Sequence, residues 1–356
     1  MNGNAGPGGA KLGFFRWDGA GNMNVHRIPT GAAPAGTKQR LGPIVFAVDA
    51  AYAVPLATAL RSVAENNRDA WPLDIHVIHE GIGEETKRRI FDSLPANSTV
   101  IQWHPIGTLS FASGFSTRPG VSKMTFARIL LPQFLPESCN RALYLDGDIL
   151  VLAALEQLWN ADLGEAVIGA VPDYWLDDVV SKEPGAAGPP RVERYFNAGI
   201  LLIDLEKWRK ERISERSLDY LDRFPTTEYS DQDALNVACD GKWKVLDRAW
   251  NFQFEPTQAI GRIALEQKLG IVHFVTNVKP WKSGSLSPNV AFYDAFRSRT
   301  RFALTRRERI QSGLKRAGSR LLARSALLRA VWSCTKSAMQ TYTSTLARMN
   351  RGARNA

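Results

Sequence analysis

One stretch decides the fold: Arg141-Ala-Leu-Tyr-Leu-Asp146-Gly147-Asp148-Ile-Leu-Val-Leu152. It predicts a buried β-strand at residues 142–145 that ends in two carboxylates, after which the chain becomes apolar again. A half-buried carboxylate without a partner costs free energy. Asp-Gly alone is ordinary hairpin chemistry, but a turn does not explain the second aspartate. Because Asp146 and Asp148 flank a glycine, the spacing favours a site where both carboxylates converge on one cation.

Short apolar runs and helical patterns alternate on both sides of this stretch. The predicted strands lie at residues 44–48, 73–78, 100–103, 142–145, 166–171, 195–204, 244–246 and 271–274. The predicted helices lie at residues 52–65, 84–94, 123–135, 155–159, 206–223 and 230–236, and from 305 onward, with Ser230 as an N-cap and 173–194 as a loop. This β-α-β-α-β order with short connections predicts an α/β fold around a mainly parallel, doubly wound sheet.

Composition and charge divide the chain into three parts. Residues 1–40 form a Gly/Ala/Pro-rich arm, expected to be flexible apart from a possible hairpin, and residues 41–296 form the body. The tail at residues 297–356 holds fifteen of the 45 Lys and Arg residues but one of the 35 Asp and Glu residues. Residues 1–296 therefore hold 30 basic and 34 acidic residues. The basic character therefore belongs to the tail and not to the body.

The tail is predicted to be a basic amphipathic helix. Its apolar residues share one sector at 100° per residue: Ile310, Leu314, Ala317, Leu321, Leu328 and Trp332. Since the stripe lacks interleaved aromatic residues for base stacking, it favours an anionic membrane surface over nucleic acid. Three unpaired cysteines, no apolar leader and no 18-residue apolar run predict a cytoplasmic protein at the inner face of the membrane.

Polar side chains follow several predicted strands. Ligands bind outside the carboxyl ends of strands in an open parallel sheet, where Asp49, the Asp146/Asp148 pair and His273 are expected. Two carboxylates and one imidazole suit Mn²⁺ with phosphate co-ligands. Lys279 lies within reach of a diphosphate. Each residue also has a plainer explanation, such as a helix N-cap for Asp49 or a surface position for Lys279.

Two further groups of charged residues are open to two interpretations. Arg128 lies in an apolar stretch, where a structural salt bridge and a substrate contact are equally good explanations. Asp231 and Asp233 lie in the first turn of a predicted helix, where the helix dipole alone would favour acids.

Six short motifs follow one another in the order seen in glycosyltransferase family 8. They are Phe46-Ala-Val-Asp49, Phe126-Ala-Arg128, Leu143-Tyr-Leu-Asp-Gly-Asp-Ile-Leu150, Phe196-Asn-Ala-Gly-Ile-Leu-Leu-Ile203, Asp231-Gln-Asp233, and His273 with Lys279-Pro-Trp281. From about residue 42 to 296 the chain resembles the bacterial lipopolysaccharide galactosyl- and glucosyltransferases of that family. Six motifs in order are specific to the family, though not to a substrate.

The resemblance implies a GT-A catalytic domain at 41–296, with a Rossmann-like, mixed and mainly parallel sheet. It implies transfer of glucose or galactose from a UDP-sugar to a glycan or lipid-linked glycan, with retention of configuration. Asp146, Asp148 and His273 would hold Mn²⁺ against the diphosphate, and Lys279 would pair with the phosphates.

The resemblance also implies roles for the residues around the metal. Asp49 and Tyr52 would bind the nucleoside. The donor sugar would be held by Arg128, Asn197 and Asp231. Gln232 would lie beside the anomeric carbon on the face opposite the leaving group. Because an amide is a poor nucleophile, we favour front-face attack, with Gln232 and Asp231 stabilising the cationic carbon.

The sequence departs from the family pattern in two places. Ala50 and Ala51 stand where an Asp and an Asn are common, so the uracil contact is expected to be thinner. The segment Val275-Thr-Asn-Val278 lacks the usual glycine, and Asn277 is the expected substitute because asparagine tolerates positive φ.

Two other functions are compatible with parts of the sequence. A phosphatase of the haloacid dehalogenase kind also carries two aspartates after a strand, but it requires a Thr or Ser that is absent after Asp148. The basic tail alone would suit a non-enzymatic protein that binds the membrane surface. The acceptor, and glucose against galactose as the donor sugar, are not readable from the sequence.

Overall fold

The computed structural model describes residues 14–17, 23–26, 41–108, 123–176, 190 and 192–324. The strands are β1 (Phe14–Trp17), β2 (Met23–His26), β3 (Ile44–Asp49), β4 (Leu73–Glu80), β5 (Thr99–Pro105), β6 (Arg141–Leu145), β7 (Ile149–Val151), β8 (Ile168–Pro172), β9 (Phe196–Asp204), β10 (Trp243–Val245) and β11 (Ile271–His273). The α-helices are α1 (Ala53–Asn66), α2 (Glu84–Phe91), α3 (Glu156–Trp159), α4 (Leu205–Lys210), α5 (Ile213–Arg223), α6 (Asp231–Ala238), α7 (Gly261–Glu266), α8 (Val290–Arg297) and α9 (Arg306–Arg324).

A seven-stranded sheet forms the centre of the body, in the order β10-β8-β9-β6-β3-β4-β5. Strands β6, β3, β4 and β5 are parallel, and β9 runs antiparallel to both β6 and β8. Strand β3 is apolar on both faces because each face packs in a different core. Phe46 faces the core that includes α1, whereas Val45 faces the core on the α5 and α6 side. The predicted mixed, mainly parallel sheet with helices on both faces is confirmed.

A second, two-stranded sheet begins where the chain bends between β6 and β7, at residues 146–148. Strand β7 follows β6 after only three residues and pairs antiparallel with β11, with His273 opposite Ile149. A third apolar core lies between this small sheet and helices α7 and α8. The bend therefore places the end of β6 and the end of β11 side by side. In the arm, the predicted hairpin is present as an antiparallel pair of β1 and β2.

The predicted single helix at residues 123–135 is wrong. Two short 3₁₀ helices occupy this segment, Lys123–Arg128 and Leu131–Phe134. Pro132 lacks the N–H that would bond the Arg128 carbonyl, and its ring would clash with that group. The chain instead closes tighter i to i+3 turns, such as the bond from the Ile129 N–H to the Phe126 carbonyl (3.1 Å).

The predicted helix at residues 206–223 is divided into α4 and α5. Arg212 adopts a left-handed conformation (φ 54°) between them. At 100° per residue, the buried Leu205 and Trp208 lie on a different side from the buried Ile213 and Tyr220. One continuous helix would need a buried arc of about 140° to cover both pairs, whereas the break at Arg212 lets each helix turn its own pair inward.

The predicted tail helix is present as α9. The remainder of the tail at 325–356, with Leu328 and Trp332, lies outside the described residues, as do most of the arm and residues 177–189 of the predicted loop. Within the described part of the chain, no helix is both long and apolar enough to cross a membrane.

Candidate active site

A cavity of about 850 Å³ opens at the carboxyl ends of the central strands. All ten residues that the sequence analysis proposed for the site line it: Asp49, Tyr52, Arg128, Asp146, Asp148, Asn197, Asp231, Gln232, His273 and Lys279. Because β3, β6 and β11 end at this edge and the antiparallel β9 begins there, residues far apart in the sequence meet at the cavity. The volume falls in the range typical of small-molecule sites, roughly 300–1,000 Å³.

Asp146, Asp148 and His273 form a cluster with metal-ligand geometry. One ligand atom from each lies within 4.8 Å of the other two. His273 Nε2 is 3.2 Å from Asp148 Oδ1 and 3.7 Å from Asp146 Oδ2. Two carboxylates with one imidazole are a donor set that suits Mn²⁺ and related divalent ions. The residues present therefore fit a divalent metal.

Gly199 of β9 is a structural requirement of this cluster. A Cβ atom at Gly199 would overlap the His273 ring and lie 2.8 Å from Asp146 Oδ2. Gly147, between the two acids, is also confined, since a Cβ there would be 2.8 Å from a methyl group of Val48. Gly199 therefore lets the backbone of β9 approach the three candidate metal ligands closely, whereas Gly147 lets the turn after β6 pack against Val48.

Charged neighbours give the two carboxylates different electrostatics. Burial alone would raise the pKa of Asp148, but Lys279 Nζ at 2.7 Å from Oδ2 and the adjacent His273 hold that pKa well below its usual value. Burial raises the pKa of Asp146, and the repulsion from Asp148 adds to this against the opposing effect of Arg128. Asp148 is therefore the more acidic of the two carboxylates.

Arg128 is buried and held by protein groups on several sides. Its Nη2 lies 3.0 Å from Asp146 Oδ1, its Nε lies 3.0 Å from Asp231 Oδ2, and its Nη1 donates to the Ala198 carbonyl (2.6 Å). Burial alone would lower the pKa of Arg128, but the two carboxylates raise it above its usual value. The structural salt bridge considered for Arg128 is present. It connects Asp146 of the candidate metal site to Asp231 at the start of α6.

Asp49 and Tyr52 also line the cavity. Asp49 Oδ1 accepts a hydrogen bond from the Ala51 N–H (3.0 Å), so the N-cap explanation of this aspartate holds. Tyr52 makes an edge contact with Trp281 (6.1 Å between ring centroids). Burial and the nearby Asp148 and Asp146 raise the pKa of Tyr52, so its hydroxyl keeps its proton.

Gln232 and Asn197 are oriented by a residue that the sequence analysis did not single out. Asp173 is buried, and its Oδ2 accepts from Asn197 Nδ2 (3.0 Å) and Gln232 Nε2 (3.3 Å). The Ala198 N–H donates to Gln232 Oε1 (3.0 Å), which fixes the amide from both ends. Asp173 follows β8 directly, and its position after a predicted strand was the available sequence signal.

Ser230 occupies the predicted N-cap position of α6, but its side chain does not cap the helix. Its backbone is strained (φ 49°, ψ −116°). Asp233 organises this turn instead, since its buried carboxylate accepts from the Tyr195 and Thr227 hydroxyls and from the Tyr229 N–H. The turn presents Asp231 and Gln232 to the cavity.

Comparison with known proteins decides the family. The family described as Glycosyl transferase family 8 matches residues 43–284. The chain belongs to glycosyltransferase family 8. It is 28% identical to General stress protein A of Bacillus subtilis, over 74% of this chain and 96% of that protein. It is 26% identical to lipopolysaccharide 1,2-glucosyltransferase of Escherichia coli, over 70% of this chain and 75% of that protein.

A solved structure supports the same family and its fold. The galactosyltransferase LgtC, crystallised with donor and acceptor sugar analogues, superimposes with a TM-score of 0.61 at 26% identity. The superposition covers 75% of this chain and 99% of LgtC. The fold of this family 8 glycosyltransferase is of the GT-A type, with a candidate Asp-Asp-His metal site at its strand ends.

Proposed function

We propose that this glycosyltransferase transfers glucose or galactose from a UDP-sugar to a glycan or lipid-linked glycan acceptor, with retention of configuration. The observation that carries the proposal is the cluster of Asp146, Asp148 and His273 in one cavity with Arg128 and Lys279. A nucleotide diphosphate is a ligand that suits both a divalent cation and a nearby ammonium group.

The divalent metal, which we propose to be Mn²⁺, would be held by Asp146, Asp148 and His273. When bound, it would supply positive charge against the diphosphate oxygens. Lys279 Nζ now contacts Asp148 Oδ2 and the Phe274 carbonyl. We propose that Lys279 leaves Asp148 for the phosphates of the leaving group, where its charge stabilises the developing negative charge.

The remaining cavity residues are proposed to hold the rest of the donor. Tyr52 and Asp49 would bind the uridine. The uracil would have fewer polar contacts, because Ala50 and Ala51 stand where polar residues are common in the family. Arg128, Asn197 and Asp231 would surround the hexose. Discrimination between glucose and galactose would then depend on one or two hydrogen bonds to the sugar 4-hydroxyl.

Retention is proposed to proceed by attack on the face from which UDP departs. Gln232 carries an amide whose oxygen already accepts the Ala198 N–H, which disfavours a covalent intermediate through that oxygen. The carbonyl dipole and the Asp231 carboxylate would instead stabilise positive charge at the anomeric carbon.

An exposed aromatic pair next to Asp173 supports a sugar acceptor. Tyr174 and Trp175 are 43% and 42% exposed and pack edge to face, at 4.9 Å between ring centroids. Trp175 Nε1 donates to Glu255 (3.2 Å), and Arg248 lies over the Tyr174 ring. Fixed rings with an apolar face and a polar edge suit a glycan that approaches the donor site.

Helix α9 supports the proposed membrane surface. Its polar side faces the body: Ser312 Oγ accepts from the Gly284 N–H (3.2 Å), and Arg316 lies near Asp294. The opposite side carries Ile310, Leu314 and Leu321, which are 55%, 69% and 61% exposed. An apolar stripe turned to solvent and flanked by arginines suits an anionic lipid surface, where a lipid-linked acceptor would lie.

The enzymatic proposal is tested by UDP release from a panel of UDP-sugars with and without Mn²⁺. We expect release with UDP-glucose or UDP-galactose, and a loss of at least a hundredfold in Asp148→Asn, because that change replaces a charged carboxylate ligand with a neutral amide of the same size. Asp247→Asn, which caps a turn elsewhere, is the matched control. Hydrolysis of simple phosphate monoesters without sugar transfer would instead support the phosphatase alternative.

The membrane proposal is tested by sedimentation with phosphatidylglycerol vesicles and with neutral phosphatidylcholine vesicles. We expect binding to the anionic vesicles only, and at least tenfold weaker binding in the double variant Leu314→Ser/Leu321→Ser, since each leucine loses burial in lipid. Leu265→Ser, an exposed leucine of α7, is the control. Equal sedimentation of the double variant and the wild type would reject α9 as the binding face.

A further inference from the structure

Asn251 connects the metal cluster to the central sheet. It is fully buried at the end of a short 3₁₀ helix, Arg248–Asn251, just before the bridge between Phe252 and Val272. Its Oδ1 lies 3.0 Å from His273 Nδ1, and its Nδ2 lies 2.9 Å from Asn197 Oδ1. Asn197 Oδ1 also lies 3.1 Å from the Gly199 backbone N. The four residues therefore form one hydrogen-bonded chain.

The donor and acceptor of each hydrogen bond in this network follow from the Gly199 N–H. The Gly199 N–H can only donate, so the Asn197 atom that meets it must be the carbonyl oxygen. That oxygen then accepts from the amide nitrogen of Asn251, so the other polar atom of Asn251 is its carbonyl oxygen. A carbonyl oxygen only accepts, and His273 Nδ1 must therefore carry a proton.

The competing partner of His273 favours the opposite tautomer. Asp148 Oδ1 lies 3.2 Å from Nε2 and would accept a proton from it. A proton on Nε2 would remove the lone pair that binds a metal. Asn251 favours a proton on Nδ1 instead, because its carbonyl oxygen accepts a hydrogen bond from that atom. Asn197 fixes the Asn251 amide in this orientation.

We propose that Asn251 is the positioning residue of the metal ligand His273, and that it holds the proton on Nδ1 so that Nε2 faces the ion. This inference rests on the metal site of the proposed function. Outer-shell hydrogen bonds of this kind orient ligating histidines, and their loss typically costs about 10–100-fold in metal affinity. Asn197, proposed for the donor sugar, would then also serve as the link to the sheet.

The test is Mn²⁺ binding to the purified full chain, followed by the electron paramagnetic resonance signal of the free ion. We expect Asn251→Leu, which removes the acceptor at similar volume, to weaken Mn²⁺ binding about 10–100-fold. Asn251→Asp keeps an acceptor for the Nδ1–H but loses the donor to Asn197 Oδ1, so it is expected to bind Mn²⁺ more tightly than Asn251→Leu and less tightly than the wild type. In turnover, Asn251→Leu should need more Mn²⁺ but regain near-normal kcat at saturation.

Two further variants separate this inference from the metal site itself. Asn289→Leu removes another fully buried asparagine with two backbone hydrogen bonds, and should leave Mn²⁺ binding unchanged. Asp148→Asn should abolish it, and unchanged binding in Asp148→Asn would overturn the metal site altogether. If Asp148→Asn loses Mn²⁺ while Asn251→Leu binds normally, only the role of Asn251 fails. Should Asn251→Leu not fold, Asn251→Ala takes its place, and Mn²⁺ binding within threefold of the wild type in that variant overturns the role of Asn251.

Discussion

Gln232 shows how much of a side chain's role lies in its contacts. The motif Asp231-Gln-Asp233 identified it as a candidate from sequence, but nothing in the sequence indicated that its amide is fixed by Asp173 and the Ala198 N–H. Asp173 and Asn251 were missed for the same reason. Each lies in a segment without a periodic pattern, and their importance comes from partners that are distant in the chain.

A prediction for Gln232 follows from this fixed orientation. Gln232→Ala should lower kcat about 10²–10³-fold with little change in KM for the UDP-sugar, since a lost transition-state dipole costs about that much. Initial rates of UDP release at saturating donor measure this. Gln267→Ala, an exposed glutamine at the end of α7, is the control. Near-normal turnover of Gln232→Ala would remove Gln232 from the mechanism.

His79 is a buried titratable group on β4. Among the described residues, neither ring nitrogen has a hydrogen-bond partner, and the ring packs edge to face on Trp103. Burial and the nearby Lys87 lower its pKa below 6.5, and His104 acts in the same direction against an opposing Glu84. The folded state therefore binds fewer protons than the unfolded state at mildly acidic pH.

The consequence is a loss of stability on acidification. Above pH 6.5 the group is neutral in both states and has no effect, and below it the free energy of unfolding falls until the lowered folded-state pKa is reached. His79→Phe keeps the ring contact without the titration. Between pH 7.5 and 5.5, the melting temperature of His79→Phe should fall less than that of the wild type. An equal fall in melting temperature in both proteins would contradict the assignment.

At the scale of elements, the sequence predicted the strands better than the helices. Apolar runs such as 44–48 and 73–78 define strands because a strand buried on both faces needs little else. The failures at 123–135 and 206–223 occur where a proline or a change of buried side ends a helix early. The antiparallel direction of β9 could not be predicted from the local sequence pattern, because strand pairing depends on contacts between segments that are distant in the sequence.

Arg212, between α4 and α5, allows a stability prediction. A left-handed backbone costs an ordinary residue about 1–2 kcal/mol, and glycine avoids that cost but loses more chain entropy. Arg212→Gly should therefore raise the free energy of unfolding by up to about 1 kcal/mol. Arg216→Gly, one turn into α5, should lower it by about 1 kcal/mol. Urea titrations of the two variants measure both effects, and destabilisation by both would contradict the left-handed turn.

At the scale of the whole molecule, the candidate metal site joins two sheets. Asp146 ends β6 of the large sheet, whereas Asp148 and His273 belong to the β7/β11 pair. A metal that binds only the folded chain stabilises it by about 2.7 kcal/mol at one hundred times its Kd. Mn²⁺ should therefore raise the melting temperature and chelation should reverse it, while Asp148→Asn should show no Mn²⁺-dependent shift.

The joint between the two sheets also sets an order of events during synthesis. Asp146 and Asp148 leave the ribosome more than a hundred residues before His273. At about 5–20 residues per second, the two carboxylates wait on the order of 6–25 s for the imidazole that completes their site. A metal that needs all three ligands can therefore bind only after β11 has been made, and a nascent chain that stops before β11 leaves β7 without its strand partner.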